Sequence, residues 1–248
     1  MKTLLFALAA LFYGNLFAQE TVTLSGRATD FNGHPIDSCS VHLFGSDFNP
    51  IYTAIADKDG YYTMKDVKKG TYLALYAIRA NTYHRRNAVP YSDMRLEFWG
   101  WNVIVDRDLT INPRCHRLEL YGTTVFEQYG GYPGLFVYTR PMSLGKLLAY
   151  DKETVLNKEK ANKGADISVS PEDFKVQVFA DDEPLKVNSV QAVEEYVGEG
   201  RQLGYLIQVE RPKHRPSRPY VVFRVTAQNT ALGEEGENIY FYRLPQFE

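Results

Sequence analysis

Three glycine turns, Asn32-Gly33, Asp59-Gly60 and Lys69-Gly70, cut residues 22–78 into short runs that alternate apolar and polar side chains. Glycine in such a pair accepts a positive φ without a Cβ clash, so each pair signals a hairpin. Val22, Leu24, Gly26 and Ala28 alternate with Thr23, Ser25 and Arg27, and further strands are expected over 41–44, 51–56, 61–64 and 71–78. A period of two, punctuated at sandwich spacing, predicts an all-β fold. The 18 Tyr and 14 Phe agree, because large flat side chains suit a half-buried pleated surface.

The N-terminus predicts export. Lys2 precedes the apolar run LLFALAALFYGNLF and then Ala18, the pattern of a secretory signal peptide over residues 1–18. Leu16 departs from the small residue preferred two positions before the cut. The run is short for a membrane span, no other segment is apolar enough to be one, and no Cys near the cut suggests a lipoprotein. The mature chain is therefore expected in the periplasm or at the cell surface. A net charge of -2 argues against a general nucleic-acid binder.

The 22–78 pattern resembles the carboxypeptidase regulatory-like domain. The residues that carry the likeness are Gly26, Asp30, Gly33, Pro35, Ile36 and Val41, then Asp57, Gly60 and Tyr62, then Gly70, Tyr72 and Leu75. Ala28 stands where Val is common, and Ala56 where Thr is common. The resemblance implies a prealbumin-like Greek-key sandwich of seven strands, extending to about residue 112, that usually serves as a non-catalytic accessory module. The peptidase activity in the family's name belongs to a separate domain. Residues 113–248 are expected to form a second, immunoglobulin-like sandwich, with strands in "HRLELYGTTVF", "GLFVYTRPMSL", "DFKVQVFA", "LGYLIQVE", "YVVFRVTA" and "NIYFYRL". The polar stretch "YDKETVLNKEKANKGAD" reads as a mobile loop or a short helix.

Few residues form a chemical signature. Asp57-Lys58-Asp59-Gly60 opens like a calcium loop, but the twelfth position is Lys68 rather than Glu, so a hairpin turn is expected. Ser143-Leu144-Gly145-Lys146 matches S-x-x-K without its companion motifs, and Pro141 and Gly145 are expected to oppose the helix that such a site needs. The five histidines lack zinc spacing, so no metal or other cofactor is expected. Cys39 shares a face with Val41 and Leu43, whereas Cys115 alternates out of phase with Leu118 and Leu120, which argues against a disulfide.

Candidate binding residues fall in three places. The connection 79–94 carries Tyr83, His84, Arg85, Arg86 and Tyr91, flat rings and planar cations suited to sugars or acidic groups, although docking of this loop on the second half is the simpler expectation. Trp99 and Trp101 are expected on one face with Val103 and Val105, as packing rather than as a sugar platform. Arg211, Lys213, Arg215 and Arg218 crowd a loop without an acid, predicting a basic tip. Glu194, Glu195 and Glu199, with Glu234, Glu235 and Glu237, predict an acidic tip at the other end, a weak candidate for a cation. About 26 Å of strand at ~3.3 Å per residue separates the tips, well beyond the ~8 Å screening length. The function expected is a non-catalytic cell-envelope binding or assembly module, with a glycan, a peptide or another envelope protein as partner. The alternative is a carbohydrate-binding accessory protein of a glycan-utilisation system, and an exported hydrolase has the least support.

Overall fold

The computed structural model describes residues 20–84, 89–197, 199–214 and 216–245. The signal-peptide segment, Arg85, Arg86 and Arg215 lie outside these residues. The first half supplies β1 (Thr21–Arg27), β2 (Ser40–Phe44), β3 (Pro50–Ile55), β4 (Tyr61–Lys68), β5 (Gly70–Ile78), β6 (Phe98–Val105) and β7 (Leu109–Thr110). The second half adds β8 (Leu118–Phe126), β9 (Leu135–Ser143), β10 (Phe174–Ala180), β11 (Glu183–Pro184) and β12 (Val187–Val197). It ends with β13 (Gly200–Val209), β14 (Tyr220–Asn229) and β15 (Glu234–Arg243). Three short helices, α1 (Leu144–Leu148), α2 (Lys152–Leu156) and α3 (Lys158–Gly164), occupy the polar stretch after β9.

Among the described residues the two halves share one sheet. Eight strands run in the order β11-β10-β14-β15-β6-β5-β2-β3, joined at the middle by a parallel pairing of β15 with β6. Asn238 faces Trp99, Ile239 faces Gly100 and Tyr240 faces Trp101. Gly100 makes room at this seam, since a Cβ there would stand 2.7 Å from Ile239 Cγ1. The smaller sheets, β4-β1-β7 and β12-β13-β9-β8, cover opposite faces of the long sheet.

Strand alternation shows which face each small sheet covers. Tyr220, Ile239 and Phe241 join the core of the first half, beside Phe98, Val103 and Val105. Val221, Phe223, Val225 and Tyr242, one position out of phase, belong to the core of the second half. A strand that donates alternate residues to two cores has both faces apolar, as β14 and β15 do. Each small sheet covers only part of the long one, which leaves two shelves on opposite faces.

Several local expectations change. Trp99 and Trp101 do not share a face with Val103 and Val105. Asn102 adopts a left-handed φ of 54° and resets the alternation, so that Phe98, Val103 and Val105 are core while the tryptophans point to the other side. Asn tolerates that conformation better than most side chains. The partner strand resets too, with Tyr72 inward and then Leu75 and Ala77. Cys115 is buried in the same core as Cys39 rather than turned outward, because it precedes β8 in an extended stretch whose amide bonds to the Thr29 carbonyl. Both thiols are free, and burial pushes Cys39 up to about 12.

Pro141 and Gly145 do not prevent a helix after Ser143. Pro141 sits within β9, and the Ser143 hydroxyl caps α1 by accepting from the Lys146 amide at 3.1 Å. The Asp59-Gly60 turn forms as expected, with Gly60 at φ 83° and the Asp57 carboxylate accepting from the Asp59 and Tyr61 amides.

Candidate functional site

The shelf on the β2-β3-β5 side carries a continuous array of rings. Trp99 and Trp101 stack at 4.9 Å with their planes 6° apart, and Tyr121 from β8 stands edge-on to both. Tyr76 packs on Trp99 at 4.5 Å, Phe44 lies 5.9 Å from Tyr76, and His42 lies 6.0 Å from Tyr76. The array arises because residues 42, 44, 76, 99 and 101 occupy one face of three paired strands. Beyond it the shelf becomes openly apolar, with Phe48 51%, Ile51 57% and Ile55 67% exposed. β3 is also an edge of the long sheet. Apolar side chains on a free edge are what a partner-binding surface presents.

Two cavities flank the tryptophans. One, of 850 Å³, is lined by Phe48, Ile51, Trp101, Tyr121 and Tyr240. The Trp101 indole N–H is buried without an acceptor among the described residues. The other, of 420 Å³, lies where residues 83–84 and 96–97 meet the second half, and its lining includes Tyr83, His84, Glu97, Glu119 and Arg140. Trp99 donates to Glu119 at 3.0 Å, and Arg140 pairs with Glu195 at 3.0 Å while covering the Tyr121 ring at 5.2 Å. Tyr83 and His84 are thus placed together with residues that the sequence did not single out. Glu119 and Arg140 sit within regular strands, and alternation alone gives no sign that their charged ends meet a cavity.

Tyr91 is separated from Tyr83 and His84 and docks on the second half. It donates to Glu234 Oε1 at 3.0 Å, and burial, then the facing carboxylate, push its hydroxyl up to about 12. Glu234 is fully buried and holds three further donors: the Gly145 amide at 2.7 Å on Oε1, with Ser143 Oγ at 2.5 Å and Asn229 Nδ2 at 2.9 Å on Oε2. Ser143 is therefore a cap and a carboxylate partner.

The structure does not gather the six acidic candidates into one solvated tip. Glu234 through Glu237 begin β15 rather than a loop, and Glu194 and Glu195 lie within β12. Glu237 is buried against Arg114 and lies 3.9 Å from Arg224, Glu194 faces Arg201 at 3.7 Å, and Glu199 faces Lys163 at 3.8 Å. Glu235 accepts from Gln228 at 3.3 Å. Among the described residues no group of three or more His, Cys, Asp or Glu is placed to hold a metal ion. The basic loop is likewise met by acids from other elements. Arg211 pairs with Glu127 and Arg218 with Asp181, and the Lys213 amide donates to Glu183 at 3.2 Å. Arg211, Arg218 and Glu237 are thus each paired with a residue distant in sequence.

His116 joins the halves at another point, accepting from the Glu235 amide through Nδ1 at 2.9 Å. Burial, helped by Arg117 and Arg95, lowers it to about 4. A lowered histidine means that the unfolded chain takes up the proton first, so stability falls as pH drops from about 6.5 towards 4 and levels below that. The ring is partly exposed, and screening reduces the effect to roughly 1–2 kcal/mol. Denaturant midpoints across this window should drop less steeply for His116→Asn, which keeps an acceptor but cannot titrate. Equal slopes would mean that the ring is not held neutral.

Among the described residues no helix is long and apolar enough to cross a membrane. No family model and no curated protein matches the chain. Similar solved structures include a DUF3823 family protein from Bacteroides ovatus, at 11% identity and a TM-score of 0.27, covering 89% of this chain and 98% of that one. BcpA, the major pilin subunit of Bacillus cereus, is 10% identical with a TM-score of 0.28, over 90% of this chain and 69% of that one. A second DUF3823 family protein, from Parabacteroides merdae, is 10% identical with a TM-score of 0.26, over 90% and 98% of the two chains. Likeness at this level carries no argument about function.

Proposed function

We propose that this chain is a non-catalytic binding or assembly module of the cell envelope, and that the aromatic and apolar shelf over β2, β3 and β5 is its contact face. The carrying observation is the exposure of Phe48, Ile51 and Ile55 beside an edge strand, continuous with the half-buried rings of Phe44, Tyr76 and Trp99. A sheet face of this kind gains by being covered, at roughly 25 cal/mol per Å² of apolar surface removed from water. The leader-like N-terminus and the resemblance of residues 22–78 to the carboxypeptidase regulatory-like domain support an exported accessory role. On this reading the halves 19–112 and 113–248 act as one body.

A protein partner is favoured over a sugar because the tryptophan faces are already used. Trp99 is stacked on Trp101 and has Tyr76 packed against it at 4.5 Å, whereas sugar stacking needs an open ring face. The carbohydrate reading keeps one observation, the buried Trp101 N–H without an acceptor beside the 850 Å³ cavity. A photo-crosslinking residue placed at position 55 in the intact envelope is expected to give a discrete protein adduct. The same residue at position 160 on the exposed side of α3 should give none. No adduct at 55, together with glycan-array binding abolished by Trp101→Ala, would transfer the site to carbohydrate.

A further inference from the structure

The second shelf lies on the opposite face of the long sheet, where β4-β1-β7 stops short of β14 and β10. It forms a groove of 910 Å³. Its lining includes Arg27, Arg114, Arg218 and Arg224. Each guanidinium rests on a ring: Arg27 on Tyr61 at 5.3 Å, Arg114 on Phe31 at 4.5 Å, Arg218 on Tyr220 at 4.8 Å and Arg224 on Phe179 at 4.1 Å. Ring support fixes the plane of a guanidinium, so less freedom is lost when it takes a carboxylate.

Four guanidinium groups here face three carboxylates, Asp181, Asp182 and Glu237. Glu237 is buried and shared, since Arg114 and Arg224 both address its Oε2. The second partner of Arg224 is Asp182, at 3.1 Å with an 89% exposed side chain, and a carboxylate so exposed exchanges readily for a ligand's. Arg27 has no carboxylate within ion-pair distance among the described residues, and its Nε donates to the Asp59 carbonyl. The groove therefore holds one unmatched cation and one weakly engaged cation.

Its floor is a strand edge. β7 pairs with β1 in parallel, and the Ile111 amide donates to the Ser25 carbonyl. Alternation then turns the Thr110 N–H and C=O away from β1, and Leu109, Thr110, Ile111 and Asn112 line the groove. An extended chain laid on that edge would gain backbone hydrogen bonds while its side chains reach the arginines. A polysaccharide could use the cations but lacks the alternating N–H and C=O groups that would extend the sheet as a paired strand.

The geometry points to a second binding site, in which an extended acidic peptide adds to the β7 edge and gives its carboxylates to Arg27 and Arg224. This site is separate from the aromatic shelf and stands or falls without it. Fluorescein-labelled hexaglutamate, titrated by anisotropy at low salt, tests it. Hexaglutamate is expected to bind at least tenfold more tightly than hexaglutamine or than hexaglutamate N-methylated at alternate amides. Arg27→Gln should weaken it about tenfold with only a small drop in Tm, since this arginine holds no carboxylate and gives up only the Asp59 carbonyl and the Tyr61 ring. Thr110→Glu, which puts a fixed acid on the exposed edge, is a second variant with the same expected loss. Equal binding of the N-methylated probe, unchanged binding by both variants, or binding of polygalacturonate in place of hexaglutamate would each overturn the proposal.

Discussion

Glu234→Ala is expected to lower stability by about 3–5 kcal/mol, read as a shift in denaturant midpoint at neutral pH. The size reflects the number of groups the carboxylate satisfies. Its two oxygens take the Tyr91 hydroxyl, the Gly145 amide, the Ser143 hydroxyl and the Asn229 amide group, and no part of the side chain is exposed. Alanine would leave these donors facing a void too enclosed for easy rehydration. Glu234→Gln tests the account more finely, because it keeps the volume but turns an NH₂ towards two donors. It should recover only part of the loss. An alanine variant within 1 kcal/mol of the parent would show that the four donors find other partners and that Glu234 does not organise this end of the protein.

Gly26→Ala should be nearly as damaging for a different reason, at about 3 kcal/mol, or roughly 6–12 °C in Tm. A Cβ at position 26 would lie 1.7 Å from the Ile111 carbonyl oxygen and 2.9 Å from Tyr62 Cε1. That carbonyl accepts from the Tyr62 hydroxyl at 2.7 Å, so Gly26 is the gap through which β7 closes onto β1. Backbone cannot retreat as a flexible side chain can, and β7 must lift. Gly33→Ala makes the control. Nothing lies within 4 Å of its would-be Cβ, but its φ is 82°, so the cost should be the smaller one of left-handed strain, about 1 kcal/mol. If both variants melted alike, crowding at Ile111 would not be the reason for glycine at position 26.

Gly26 also shows what the sequence could and could not tell. Its place in the strand and in the family-like pattern was legible, because period-two alternation and glycine turns are local signals. The contact that requires it lies 85 residues away and leaves no mark nearby. The same limit explains the charged tips. "RPKHRPSRP" and "EEGEN" look unbalanced when read along the chain, yet Asp181, Glu183 and Glu127 meet the first, while Ser143, Asn229 and Arg114 meet the second. Trp99 and Trp101 were misplaced by one residue, Asn102, whose left-handed φ reverses the facing of the strand beyond it. The shared sheet was hidden too. β14 and β15 each alternate cleanly, and nothing in that alternation says that Phe241 fills one core while Tyr242 fills the other.

The seam between β15 and β6 also governs the order in which the chain can mature during synthesis. When residues 98–105 first emerge, the edge that will receive residues 238–240 stands open, and the positions of Tyr220, Ile239 and Phe241 in the first core are vacant. The earlier half must therefore wait, with Phe98 and Val103 incompletely covered, while more than a hundred further residues arrive. Contacts so distant along a chain close slowly, and an uncovered strand edge is where nascent chains stick to one another. Such a protein is vulnerable for as long as its synthesis lasts, and a chaperone that shields the Trp99–Trp101 strand would be of most use to it in that interval.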